Sequence, residues 1–429
     1  MASSTLLSTI YKYSVKNPTA FKVVVFLRNN IPDIYLKMKA LLKRWKKHPI
    51  PFGVIESIQS YAKQHGYQVN IAKEQKAITY EMPKLASDHP VDPRFTENRE
   101  VTFPAQFTSI IPNGRVVNQG FVISPDNRIL EEVSMTFDGS KPIYKKIGAE
   151  HKLFKTGIAK KPAEHINARV AVLATPSAQH NYYHWMMELL PRLQTLKMSG
   201  YDLVEDIDYY FVNSTAGSFQ METLKACGIP FNKIIDSIWH PHVSASELVV
   251  ISRTGVNGFF DIHTINFLRN LFADHLQTHK SRKIYLNRRN VRHRRILNED
   301  ELETVLFEYG FESVSLDNLT VAEQAELLSS AEMVVSGHGA SLTNLIFCQP
   351  GTKILELFQH NNIHPIYWGI SNLLDLDYHY AKSVSHKSIK SMTIDEDNNF
   401  SDMIFDIKEV RSLLALLHSQ TSYMSSKTV

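Results

Sequence analysis

The 429-residue chain carries only two cysteines, Cys227 and Cys348, each in an apolar helical context. That scarcity argues against a disulfide framework and fits buried free thiols in a reducing compartment. Long apolar runs are also missing. Bilayer crossing takes about 20 apolar residues, and the longest run near the N-terminus, VVVFL at 23–27, is far shorter. No stretch reads as a signal peptide. Net charge is small, with 47 Lys and Arg against 43 Asp and Glu, so the average composition calls for no polyanion partner. Three Asn-x-Ser/Thr matches, at Asn213, Asn318 and Asn399, are read as chance; the first ends a strand-like run where a glycan would fit poorly.

What is present is unevenly distributed. A chain of this length exceeds what one core serves well, so two domains with smaller additions are expected. Residues 1–50 form a basic segment in which KMKALLKRWKK (37–47) has six basic residues interleaved with Leu41, Leu42 and Trp45. That composition suits a helix on an anionic membrane surface, with a solvated basic helix as the alternative. Residues 51–150 show short alternating runs broken by PNG and SPDN, which predicts a small β-rich module. From about 165 onward strands and helices alternate, which predicts an α/β architecture with parallel sheets. The division places one unit at 151–275 and another at 276–390, with a C-terminal helix and tail over 391–429.

Three constellations carry ionisable groups into this framework. In HNYYHWMMELLPRL (180–193), a helix from Asn181 puts Asn181, His184 and Glu188 on one stripe. Trp185, Leu189, Leu193 and Leu196 form the apolar stripe beside it, and Pro191 should kink or end the helix. A carboxylate and a histidine in a partly apolar wall suit general acid/base work, although a buried pair that only fixes packing has the same spacing. Tyr183 and Arg192 fall at the same cleft lip. In EMVVSGHGASLTNLIF (332–347), a strand, a glycine-flanked turn and a helix start predict an anion site. There His338 would stand at the mouth and Ser341 or Thr343 at the helix start; a structural tight turn is the alternative. In NRRNVRHRR (287–295), after the strand KIYL, Arg288 and Arg289 are placed to clamp phosphate oxygens, and the later arginines read as a solvated face. The cluster is short and lacks aromatic platforms, so nucleic acid is not expected. Glu356 ends the strand KILELF, where a carboxylate can accept ribose hydroxyls or stand as a plain strand-end charge. Asp206/Asp208 and Asp375/Asp377 precede their strands, and Asp395/Asp397 lies in a polar stretch, so no metal is expected to be required.

NYYHWMMELLPRL, YLNRRN after a strand, and SGHGASLTNLIFCQPGTKILELF occur in the order and spacing of the family 61 glycosyltransferases, which this chain resembles over about 110–385. The resemblance implies a GT-B-like fold of two facing Rossmann-like domains, acceptor-side first and nucleotide-sugar-binding second. It implies an inverting, metal-independent transferase that uses no cofactor and moves a hexose or pentose from a nucleotide sugar, read as UDP-linked, to a hydroxyl of a glycan or glycolipid. By position it implies Glu188 as the base beside His184. It also implies Arg288 or Arg289, His338, Gly339, Ala340 and Ser341 at the donor phosphates. Without an anchor or cysteine framework, the expectation is cell-surface polysaccharide or capsule assembly at the cytoplasmic face of the membrane. A non-catalytic nucleotide-sugar or carbohydrate-binding protein is the alternative.

Overall fold

The computed structural model describes residues 51–83 apart from 52, 90–134, 136–137, 144–145, 154, 162–384 apart from 177, and 401–425. The basic stretch 37–47, Asn399 and the Asp395/Asp397 pair lie outside the described residues. The chain divides into two compact units. The first is Met1–Glu74 with Ala105–Thr254, and the second is Gln75–Pro104 with Gly255–Val429.

This division departs from the expected one in two places. Strands at 51–150 are not set apart as a module: Gln106–Pro112 and Arg115–Val117 pair antiparallel with His242–Ile251, inside the first unit's main sheet. Alternation reveals that a strand has one buried face, but the partner supplying its backbone hydrogen bonds is set by distant sequence. The boundary also falls after Thr254 rather than at 275, so helix Ile262–Asn270 belongs wholly to the second unit. Apolar contacts explain the excursion of 75–104 into that unit. Tyr80 packs 5.3 Å from Trp368 and 5.4 Å from Phe259, and Phe95 stands edge-on to Trp368 at 5.3 Å.

In the first unit four strands run parallel: Glu164–Val172, Tyr209–Val212, Ile234–Asp236 and His242–Ile251. Numbered in chain order they lie 3-2-1-4 across the sheet, the order of a Rossmann half. Phe107, Ile111, Val170, Val172, Phe211, Leu248 and Val250 fill the core beneath. Gly120, at φ +97°, lies so close to the end of the first strand that a Cβ would stand 2.2 Å from the Ala174 carbonyl oxygen. Only glycine serves there.

The second unit holds five parallel strands: Arg282–Leu286, Glu312–Val314, Ala331–Gly337, Lys353–Phe358 and Asp377–Lys382. In chain order the sheet reads 2-1-3-4-5, so the direction of winding reverses between Arg282–Leu286 and Ala331–Gly337. Ligands of open parallel sheets bind at the carboxyl ends beside such a reversal. The expected C-terminal helix, Ile407–Ser425, docks here through Val410, Leu413, Leu414 and Leu417, a helical i, i+3, i+4, i+7 stripe. Both cysteines are buried and unbridged, and Asn213 has no exposed surface, which excludes a glycan on the native side chain. Asp208 and Asp377 stand at the amino ends of their strands, as the sequence predicted. Among the described residues no helix is long and apolar enough to cross a membrane.

Candidate active site

The segment HNYYHWMMELLPRL is helical but not uniform. Tyr182–His184 is α, Trp185–Leu189 is a π turn and Pro191–Met198 is α again. Pro191 therefore does not end the helix. The π turn, marked by Leu190 N donating to Trp185 O at 3.1 Å, widens the ladder just ahead of the proline and places it at the first position of the next α segment. The widening also turns the polar residues while Trp185, Leu189, Leu193 and Leu196 stay fully buried.

Glu188 emerges from this turn at the carboxyl end of strand Glu164–Val172. Its Oε1 lies 3.0 Å from His184 Nδ1, and Thr175 Oγ1 donates to its Oε2 at 3.2 Å. Thr175 is itself locked to Asn213, whose Oδ1 accepts from Thr175 N and whose Nδ2 donates to Thr175 O. The side chains of His184 and Glu188 are 13% and 12% exposed, shielded yet reachable. Burial alone would lower the His184 pKa, but the charge and hydrogen bond of Glu188 outweigh it and the pKa is raised. A histidine raised in this way stabilises the fold fully below its unfolded value of about 6.5, and loses that contribution as pH climbs through the higher folded value. We expect the His184 ring, followed by proton NMR, to titrate above 6.5 in the native chain and below it in Glu188→Gln. Equal midpoints would refute the coupling.

The expected cleft residues fare differently. Asn181 is exposed and caps the helix, accepting from His184 N at 3.4 Å. Tyr183 is buried. Arg192 is buried and donates from Nη1 to the carbonyls of Val172 and Ala174, so it braces the strand end instead of lining a cleft. Those strand-end carbonyls need donors, and Arg192 supplies one.

In the second unit the reversal point is built from Arg288 and the 337–339 turn. Arg288 follows the first strand, and its backbone N donates to Glu299 Oε1, which also accepts from Tyr285 OH. Its guanidinium donates from Nε to Arg294 O and from Nη2 to His293 O. It lies across the glycine turn: a Cβ on Gly337 would be 2.5 Å from Arg288 Cδ, and one on Gly339 2.2 Å from Nη1. Arg289 turns the other way, bonded to Asp300 at 2.7 Å and to Glu303, because the acidic first turn of helix Glu299–Glu308 attracts it. It is not part of the site. Arg294, read from sequence as solvated face, is: its charge is near enough to depress His338, His364 and Glu356.

His338 is not at a mouth. It is buried, stacked on Phe358 at 5.1 Å, with Nδ1 2.5 Å from Glu356 Oε1. Tyr378 OH donates to the other oxygen, Glu356 Oε2, at 2.5 Å. Glu356 has no exposed surface, so here it supports His338 and presents nothing to a ribose. Burial holds Glu356 well above the usual carboxylate range, while burial and Arg294 hold His338 well below its own. The helix after the turn, Ala340–Phe347, is 3-10 with Gly339 at its N-cap, so Ser341 is its second residue and does not cap it. Among the described residues, Arg288 and Arg294 are the cations nearest the turn. Burial, then Arg294, pulls Arg288 down to about 10, the response of a cation lacking sufficient countercharge.

Each unit thus carries a polar cluster at the carboxyl end of a parallel strand, the His184–Glu188 pair in the first and Arg288 over the glycine turn in the second. Residues 182–355 match the family model described as Glycosyltransferase 61. Over that stretch the chain is similar to glycosyltransferase family 61. The human protein O-linked-mannose beta-1,4-N-acetylglucosaminyltransferase 2 is 41% identical over 70 residues, 16% of this chain and 12% of that protein. The EGF domain-specific O-linked N-acetylglucosamine transferase of Drosophila melanogaster is 35% identical over 82 residues, covering 18% and 16%. A beta-1,2-xylosyltransferase of Oryza sativa subsp. japonica is 34% identical over 62, covering 14% and 12%. The aligned part thus spans under a fifth of each of these relatives. The family 61 window holds His184, Glu188, Arg288, Arg294 and His338 and closes beside Glu356. Thr175 and His364 fall outside it. Neither lay in a motif that sequence alone marks, since a strand-end threonine and a lone histidine are common structural residues.

Proposed function

We propose that this chain is a GT-B-type, inverting, metal-independent glycosyltransferase of family 61 that moves a sugar from a UDP-linked donor to a hydroxyl of a glycan acceptor. The observation that carries the reading is Arg288 lying across the 337–339 turn at the sheet reversal, with Arg294 near enough to depress it and burial raising the carboxyl of Glu356 well above the usual range. A diphosphate supplies the charge the arginines lack, held by the guanidinium that the Cβ-free Gly337 and Gly339 let lie across the turn.

In the reaction Glu188 takes the proton of the acceptor hydroxyl as that oxygen bonds to the anomeric carbon. The carbon–oxygen bond to the donor phosphate breaks, and its electron pair leaves on the nucleoside diphosphate, which the arginines stabilise. Attack opposite the leaving group inverts the anomeric centre. Two of the relatives carry names for protein-linked acceptors, which supports a glycoprotein glycan as a second reading beside cell-surface polysaccharide or glycolipid. Attachment to an anionic, cytoplasmic membrane face through 37–47 belongs to the same proposal.

A thermal-shift screen with nucleoside diphosphates and nucleotide sugars tests it. Stabilisation grows with ligand concentration, reaching about 2.7 kcal/mol at one hundred times Kd. UDP and one UDP-sugar should raise Tm in a dose-dependent way. No shift with any nucleotide at millimolar concentration would reject the donor assignment.

A further inference from the structure

Trp239 is 77% exposed, whereas Trp185 and Trp368 are wholly buried. It stands in the first unit on the turn that follows edge strand Ile234–Asp236. The turn is held firmly. Asp236 Oδ2 accepts from both Thr215 N and Thr215 Oγ1, and Oδ1 accepts from Ile238 N, each at 2.8 Å. Trp239 N and His240 N both donate to Asp236 O. The exposed indole is therefore presented on a fixed base, with little ordering left to pay for on binding.

The turn also continues the hydrogen-bonded edge that carries the base. Ser237 N donates to Val212 O and Ser237 Oγ to Asn213 O, Asn213 binds Thr175, and Thr175 binds Glu188. At the next residue in the chain, His240 Nδ1 meets Glu164 Oε2 at 2.8 Å, and both side chains are about half exposed. An exposed aromatic on a turn that also carries an imidazole–carboxylate pair is the chemistry that takes a sugar ring, with C–H groups on the indole and hydroxyls on the polar pair. Resting on the transferase reading above, we propose that the Trp239 turn is a subsite for a sugar ring of the acceptor glycan, distal to the hydroxyl that reacts. Short acceptors do not reach it. Longer ones gain affinity there.

The test titrates xylotetraose, mannotetraose, chitotetraose and cellotetraose into the full chain, Trp239→Ala and Trp239→Phe, reading intrinsic fluorescence and initial rates. At least one tetrasaccharide should bind the native chain and blue-shift the indole emission. Trp239→Ala should weaken that binding, and raise the acceptor KM, by about tenfold, with kcat and UDP affinity unchanged. Trp239→Phe should recover most of the loss. Glu188→Gln should keep tetrasaccharide binding while losing turnover. The subsite is overturned if no tetrasaccharide binds at millimolar concentration, or if Trp239→Ala binds as the native chain does. It is overturned equally if sedimentation shows that the variant changes only self-association. Undiminished turnover in Glu188→Gln would instead remove the transfer mechanism and leave a glycan-binding turn.

Discussion

Glu188→Gln is expected to lower kcat by about 10²–10⁴-fold while the Kd for UDP stays within twofold, since removing a positioned general base costs that much and touches no donor contact. Glutamine keeps the shape of the side chain. Its amide oxygen can still accept from Thr175 Oγ1 or from His184 Nδ1, so the π turn and the Thr175–Asn213 lock have no reason to move. What it cannot do is accept the hydroxyl proton. Loss of the carboxylate also removes what holds the His184 pKa up, so burial then favours a neutral ring that can serve only as a weaker base. His184→Gln should do less damage, because Glu188 retains Thr175 and its charge. The order of the two effects is thus part of the expectation. Single-turnover rates and UDP titration measure both. A Glu188→Gln enzyme with native turnover would move the base elsewhere, and a variant that also failed to bind UDP would point to a structural pair.

Much of this was legible in the residues themselves. The i, i+4 spacing of His184 and Glu188 forces contact on any helix, and the glycine turn after Ala331–Gly337 marks a strand end whatever the partner. Arg192 and Arg294 show where such reading stops. The sequence places one in a cleft, and it is buried against the carbonyls of Val172 and Ala174; it places the other on a solvated face, and its charge bears on His338 and His364. Arginine direction depends on which carbonyl or carboxylate ends up within reach. For Arg289 the reachable acids are Asp300 and Glu303, and helix periodicity across the intervening loop does not reveal them. The same holds for 75–104. Alternation exposes its apolar face, but the aromatic cage of Phe259 and Trp368 that receives it lies far along the chain.

The second large effect is expected at Gly339. Its φ of 176° is extended backbone open to any residue, so Gly339→Ala adds no backbone strain and acts only through the new methyl group, 2.2 Å from Arg288 Nη1. The guanidinium must move. Moving it breaks the bonds to the carbonyls of His293 and Arg294, and the loop bearing the second cation loosens with it. Neither histidine compensates: burial and Arg294 hold His338 well below its ordinary value, and burial, Arg294 and Arg94 take His364 to about 4, so both are neutral at working pH. A charge-assisted hydrogen bond contributes about 1.5–3 kcal/mol, so losing the Arg288 contacts should raise the Kd for UDP by about 10–100-fold. The loss in kcat should be at least as large, because charge on the leaving diphosphate peaks in the transition state. Arg288→Lys should resemble Gly339→Ala, since an ammonium cannot span two carbonyls and still face a phosphate. Far-UV circular dichroism and Tm near native values would establish that the fold survives, and calorimetric titration with UDP gives the affinity. If Gly339→Ala binds UDP as tightly as the native chain, the diphosphate does not lie against this turn.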